Sequence, residues 1–302
     1  MFKIYASGIG SMVALMITVN SLFAEQAGYL LSILVIHLVG LTLVSLILLF
    51  RHEKKSAPAP FYLYFGGVIG VFLVLSNNYC FLTLGASLTL AIGIIGQSTG
   101  SLITDSTGFL GMTKYPFEPK KIFALAVSLF GVVMMIEEWR LNLPVVILAF
   151  VTGMMLLLAM IVNSQLAKRI GIFKGTRVNY LAGLLTTCAL MLILQTKMSG
   201  SLDLLISINP VLLLGGGIFG VVVVASINFV IPKIPTIYST LLILIGQLFT
   251  GLLIDFLLFD LFSFQKLLGV IFVVVGVFIN MIIDHTSVQS ASDKLATASQ
   301  AH

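Results

Sequence analysis

Two glutamines set in long apolar stretches, Gln97 and Gln247, are the side chains of this chain best placed to do chemistry. A primary carboxamide in hydrocarbon has no water to bond, so it must face another helix or an aqueous cavity. Facing a cavity, each amide can donate to and accept from a polar solute. Facing a helix, it is interhelical glue contributing about 0.6 kcal/mol on average. Asn78 and Asn228 lie two residues beyond Ser76 and Ser226, where their amides and hydroxyls can bond a solute or tie down helix ends. Asp105 and Asp255 each follow a glutamine by eight residues, about 12 Å along a helix and about 80° around it. A carboxylate near a membrane boundary can gate or relay protons, and it can equally bond nearby backbone. His37 is the intramembrane side chain whose ordinary pKa of ~6.5 lies near neutrality. The candidate solute contacts are therefore Gln97, Gln247, Asn78, Asn228, Ser76 and Ser226, with Asp105, Asp255 and His37 as candidates for gating or proton coupling.

These residues come in pairs. Residues 66–105 align without a gap onto 216–255 at an offset of 150, with 12 of 40 positions identical. Flanking segments repeat at nearby offsets: Gly10, Val19-Asn20-Ser21 and Gly40 return as Gly153, Val162-Asn163-Ser164 and Gly183, and Lys121 with Gly131 returns as Lys266 with Gly276. His37 is matched by Tyr180. Asn20 and Asn163, near the ends of their apolar runs, read as helix caps or as cavity linings at opposite mouths, with capping slightly favoured.

The elements that must position these groups are membrane helices. Charged residues make up 9% of the chain and hydrophobic residues 59%, with a mean hydropathy of +1.15. A soluble domain cannot hide that much apolar surface, whereas a bilayer can. Runs of about 20 apolar residues predict ten spans, at 5–23, 29–50, 61–82, 87–105, 121–138, 144–163, 176–196, 210–231, 237–254 and 265–284. All eight prolines fall at or near proposed span ends, as helix breakers should. The first run also has the outline of a signal peptide, but its internal repeat favours a retained helix. Cys80 and Cys188 sit inside apolar runs, which argues against a structural disulfide.

Five spans per copy is an odd number, so the second copy must enter the bilayer upside down. The expected fold is an all-α integral membrane protein: ten transmembrane helices as two inverted five-helix repeats. The first repeat covers 1–140 and the second 141–285, with a disordered cytoplasmic tail over 286–302. With the N-terminus inside, 13 Lys and Arg fall on cytoplasmic segments and three (Arg140, Lys197, Lys266) on outer ones. That bias places both termini in the cytoplasm. The net charge of +5 sits in short loops between spans, which does not suggest a nucleic-acid partner.

The block Gly66-Gly67-x-x-Gly70, Ser76-x-Asn78, Leu84-Gly85-Ala86-x-Leu88-Thr89 and Gly96-Gln97-x3-Ser101-Leu102-x2-Asp105 resembles the YdcZ-like branch of the drug/metabolite transporter superfamily, related to the EamA-like transporters. The resemblance covers essentially residues 1–285 in fused two-repeat form. The second copy departs from it at Pro235-Thr236, where Gly85-Ala86 stands in the first, and at Gly251 in place of Ser101. The resemblance implies a bacterial inner-membrane protein whose spans 1–4 and 6–9 surround a central cavity, with spans 5 and 10 peripheral.

Inverted repeats with polar groups at matched depth point to a secondary transporter of a small polar metabolite working by alternating access. The alternatives are an exporter of amphipathic drugs, or a channel or structural protein. No His-Glu-x-x-His, Gly-x-Ser-x-Gly or Gly-x4-Gly-Lys-Ser/Thr run occurs, so neither an enzyme nor an ATP-driven pump is expected. The expected partners are a solute and membrane lipid, with no cofactor and no metal, in a monomer or homodimer.

Overall fold

The computed structural model describes residues 2–51, 53, 57–111, 119–136, 142–196, 201–230 and 236–300. The chain forms eleven helices among them: α1 (Phe2–Ala27), α2 (Tyr29–Phe50), α3 (Gly66–Leu84), α4 (Ala86–Thr107), α5 (Lys120–Met134), α6 (Leu143–Ile170), α7 (Ile172–Ile193), α8 (Ser201–Ser207), α9 (Pro210–Val230), α10 (Thr236–Leu258) and α11 (Phe264–Gln300). Eight of these elements are long and apolar enough to cross a membrane. Two expected spans fall short by that measure. α5 has only 15 residues and opens on two lysines, while in α10 the described apolar stretch is Leu242–Leu258.

The apolar runs predict where helices lie better than where they end. α1 and α6 both run past their expected limits, so Asn20 and Asn163 each lie seven residues inside a helix and cap nothing. Good helix formers (Gln165, Leu166, Ala167, Lys168, Arg169) carry α6 onward after the hydropathy falls. The expected start of the third span at 61 is a 3-10 turn, Phe61–Phe65, that leads into α3. α8, amphipathic and only seven residues long, leaves no apolar run to predict it. The backbone of α11 continues as helix to Gln300, through the stretch read as a disordered tail, whose Ala, Gln, Lys and Leu residues favour helix.

Sharp reversals join α1 to α2 and α6 to α7. The single residues between them, Gly28 and Gly171, have φ of +83° and +103°, a region that a Cβ makes costly. Two helices start on carboxylates from far along the chain. Asp255 Oδ1 accepts from the Ala86 N–H (2.8 Å) and Oδ2 from the Ser87 N–H (3.0 Å) at the start of α4. Glu53 does the same for α7, accepting from the Phe173 N–H (3.0 Å) and the Lys174 N–H (2.9 Å). Each satisfies donors that a helix N-terminus cannot pair internally.

The helices pair across the chain's two halves. α1 packs on α9 and α10, α6 on α3 and α4, α2 on α7 and α9, and α5 on α11. Leu88, Ile92 and Ile95 of α4 share one apolar cluster with Leu244 and Leu248 of α10 and with Val270 and Val273 of α11. The outer surface stays apolar, with Phe123, Phe130, Leu185, Leu253 and Phe256 exposed, as a chain bathed in lipid requires.

Candidate functional site

Gln97 lies midway along α4 and is 4% exposed; Gln247 lies midway along α10 and is 3% exposed. Each follows a glycine that brings two backbones together. A Cβ on Gly96 would overlap the Phe150 carbonyl of α6, and one on Gly246 would overlap the Ser7 carbonyl of α1. The helices carrying the amides are thus fixed against their neighbours one residue away. Gln97 Nε2 donates to the Met160 sulfur at 3.5 Å. A thioether is a weak acceptor, so this amide keeps most of its bonding capacity for a better partner.

α1 serves as a ruler for the remaining candidates. The Ser226 hydroxyl bonds the Tyr5 hydroxyl at 3.2 Å, the Gln247 backbone N–H lies against Gly10, and the Ser21 hydroxyl donates to Asn78 Oδ1 at 3.2 Å. Tyr5 and Ser21 are separated by about 24 Å of helix. Asn78 and Ser226 therefore sit towards opposite ends of α1, with a glutamine between them. Asn78 is fully buried and its Nδ2 has no partner. Ser76 is half-buried on α3. The side chains of Asn228 and Asp105 lie outside the described residues.

Asp255 is 1% exposed and spends both oxygens on the start of α4, accepting from the Ser87 hydroxyl as well. It ties α10 to the turn between α3 and α4 at the end of the bundle where Asn78 lies. His37 is buried and donates Nδ1–H to the Ile33 carbonyl at 2.8 Å. Its ring packs edge-on to Tyr180, centroids 5.8 Å apart, and its far edge fills the space over Gly183.

Asn20 and Asn163 show what the shared glycines are for. The Asn20 Oδ1 fills the notch at Gly216 of α9, and the Asn163 Oδ1 fills the notch at Gly66 of α3. Neither oxygen has a conventional hydrogen bond, so each rests on a glycine Cα–H, a weaker contact that recurs where helices approach closely. The sequence pairs Tyr180 with His37, but it does not reveal that the Tyr180 ring fills the notch at Gly40 of α2 or that Gln97 meets Met160 of α6. Among the described residues, no group of three or more His, Cys, Asp or Glu side chains could hold a metal.

Buried amides and hydroxyls strung through a bundle of membrane-length apolar helices define a multi-pass membrane protein with a transporter-like fold. The chain belongs to the YdcZ family of the drug/metabolite transporter superfamily: the family described as "Putative inner membrane exporter, YdcZ" matches residues 1–134 and 144–279. A solved structure described only as "Crystal structure of protein" is similar in fold, with a TM-score of 0.59 at 15% identity, covering 92% of this chain and 96% of that one. No curated protein matches.

Proposed function

We propose that this protein is a secondary transporter that moves a small polar metabolite across the inner membrane by alternating access, without catalysing a reaction. It is built as ten membrane helices in two inverted five-helix repeats, 1–140 and 141–285, with both termini in the cytoplasm. Gln97 and Gln247 bind the solute near the midplane. Asn78, Asn228, Ser76 and Ser226 line its way in and out, and Asp105, Asp255 and His37 serve gating or proton coupling.

One observation carries this reading: contacts are exchanged between the two halves at the offsets of the sequence repeat. Gly96 meets Phe150 as Gly246 meets Ser7, Gly153 meets Gly93 as Gly10 meets Ile243, and Asn163 meets Gly66 as Asn20 meets Gly216. Two copies that swap partners in this way can rock about a shared axis while keeping a fixed central site. The double match of the family to 1–134 and 144–279 supports the same division. A second reading, an exporter of amphipathic solutes, is favoured by Met16 and Met160 flanking an apolar centre, since thioethers adapt to varied shapes.

A thermal-shift screen of metabolites on purified protein would supply a solute for flux assays in proteoliposomes. Replacing Gln97 and Gln247 together with Leu should abolish that flux while leaving the protein inserted. Full retained flux in the double variant would rule out the midplane amide site.

A further inference from the structure

We infer that Asn163 and Asn179 form a binding step between Gln97 and the α6–α7 end of the bundle, and that this step takes uncharged polar molecules. The inference deepens the transporter reading and rests on it.

Three helices turn a half-buried position inward. On α3, Phe72 and Tyr79 are exposed to lipid; at about 100° per residue, Gly70 lies about 160–180° round the helix from them. On α7, Leu181 and Leu192 are exposed, and Asn179 lies about 140–160° away. On α6, Ile147 and Val151 are exposed, and Asn163 lies about 120–160° away. In a solid bundle such positions would be buried, yet Gly70, Asn163 and Asn179 are each only half-buried. α3 packs on both α6 and α7, and α6 packs on α7, so an internal space is what exposes them. Gly70 borders that space: a Cβ there would meet nothing within 4 Å except the Asn179 Oδ1, at 3.8 Å.

A series of contacts joins this space to the midplane. Asn163 and Asn179 each stand seven residues from the helix ends that Gly171 connects, about 10 Å in, so they share one depth. The Asn163 Oδ1 lies against Gly66, and the Asn179 Oδ1 lies beside Gly70, one turn further along α3. Met160, one turn before Asn163 and also half-buried, accepts from Gln97 Nε2 at 3.5 Å. The other repeat fills the matching place. At Gly220, the counterpart of Gly70, a Cβ would overlap the Tyr180 hydroxyl and lie 3.7 Å from the Met16 sulfur. Asn179 itself corresponds to Ile36, so the second carboxamide exists on one side only. Charge stays off the series. Lys168 and Arg169 of α6, and Lys174 and Arg177 of α7, lie about 120–160° round their helices from the asparagines. Asp255 is committed to the start of α4, and Lys121 and Lys266 sit at the beginnings of α5 and α11. An ion would leave water here without a counter-charge, which is costly. A neutral polar molecule instead finds a carboxamide that both donates and accepts.

Methanethiosulfonates, which form mixed disulfides with thiolates, are the probes, used on purified full-length protein in a background lacking Cys80 and Cys188. The neutral, polar hydroxyethyl reagent should label Asn163→Cys, and Asn179→Cys as a second reporter, roughly tenfold or more faster than Leu181→Cys, whose thiol ionises poorly in apolar surroundings. The anionic sulfonatoethyl and cationic trimethylammonioethyl reagents should lag roughly tenfold behind it, once each rate is divided by that at the exposed Lys168→Cys. Adding Asn179→Leu to Asn163→Cys should slow the hydroxyethyl reagent about fivefold, the worth of one hydrogen bond, and leave the apolar ethyl reagent unchanged. Either reporter reacting no faster than Leu181→Cys, charged reagents keeping pace with the neutral one, or an unchanged hydroxyethyl rate after Asn179→Leu would each overturn the inference. Labelling needs no transport, so any of these results alongside loss of flux in the Gln97/Gln247 double variant would overturn this inference alone and leave the transporter reading standing.

Discussion

Asp255 shows how one side chain can look functional in sequence and acquire a definite structural partner in the fold. Repeated at the position of Asp105, it reads as a gate; in the structure it accepts bonds from the Ala86 and Ser87 N–H groups and the Ser87 hydroxyl. These two roles are compatible, since a bond joining α10 to the start of α4 must hold or yield when those helices move. Asp255→Ala strands two helix-terminal donors in a buried place, and its cost should match the loss of a good N-cap, about 1–2 kcal/mol. Melting in detergent should show it, with Asp255→Asn intermediate because an amide oxygen still accepts. The burial of Gln97 and Gln247 was legible from their apolar surroundings. The seat of Tyr180 was not, because it depends on Gly40 and Gly220, which lie far away in sequence and next to it in space.

At the scale of the element, the helices were legible and several of their ends were not. Hydropathy marks where a chain meets lipid, but α1 and α6 continue as helix into polar sequence because their residues favour it. That overrun turns Asn20 and Asn163 from caps into inward groups, each seated on a glycine of the other half. The glycine blocks of α3 and α9 are therefore receptacles as well as small faces. Adding a methyl group at Gly66 drives it into the Asn163 amide, and at Gly216 into the Asn20 amide. Overpacking of this kind costs about 1–3 kcal/mol. Gly66→Ala and Gly216→Ala should lower the melting temperature by similar amounts, since their contacts are counterparts. Pairing Gly66→Ala with Asn163→Ala should recover most of the loss, by removing the amide that the methyl group strikes. A deficit unchanged in the pair would mean that the glycine serves something other than this seat.

The whole molecule turns these local seats into a mechanism only if its two ends can open in turn. α1 joins the two ends, bonded to Asn78 through Ser21 at one and to Ser226 through Tyr5 at the other. In a carrier both contacts lie on surfaces that must separate once per cycle, whereas in a rigid scaffold neither needs to move. Cysteines placed at Ser21 and Asn78, or at Tyr5 and Ser226, in a background lacking Cys80 and Cys188, can be bridged by a short bifunctional thiosulfonate. Either bridge alone should stop flux of the screened solute in proteoliposomes, and reduction should return it to the level of the same double-cysteine variant before bridging. Solute binding in detergent should survive both bridges if Gln97 and Gln247 carry it, because neither is altered. Undiminished flux through a fully bridged protein would show that this end never opens, and alternating access about α1 would be wrong. Flux lost together with binding would instead mean that the bridge had distorted the site; the Ser21–Asn78 bridge separates these outcomes more cleanly, because Gln247 lies against Gly10 of α1, nearer Tyr5 than Ser21.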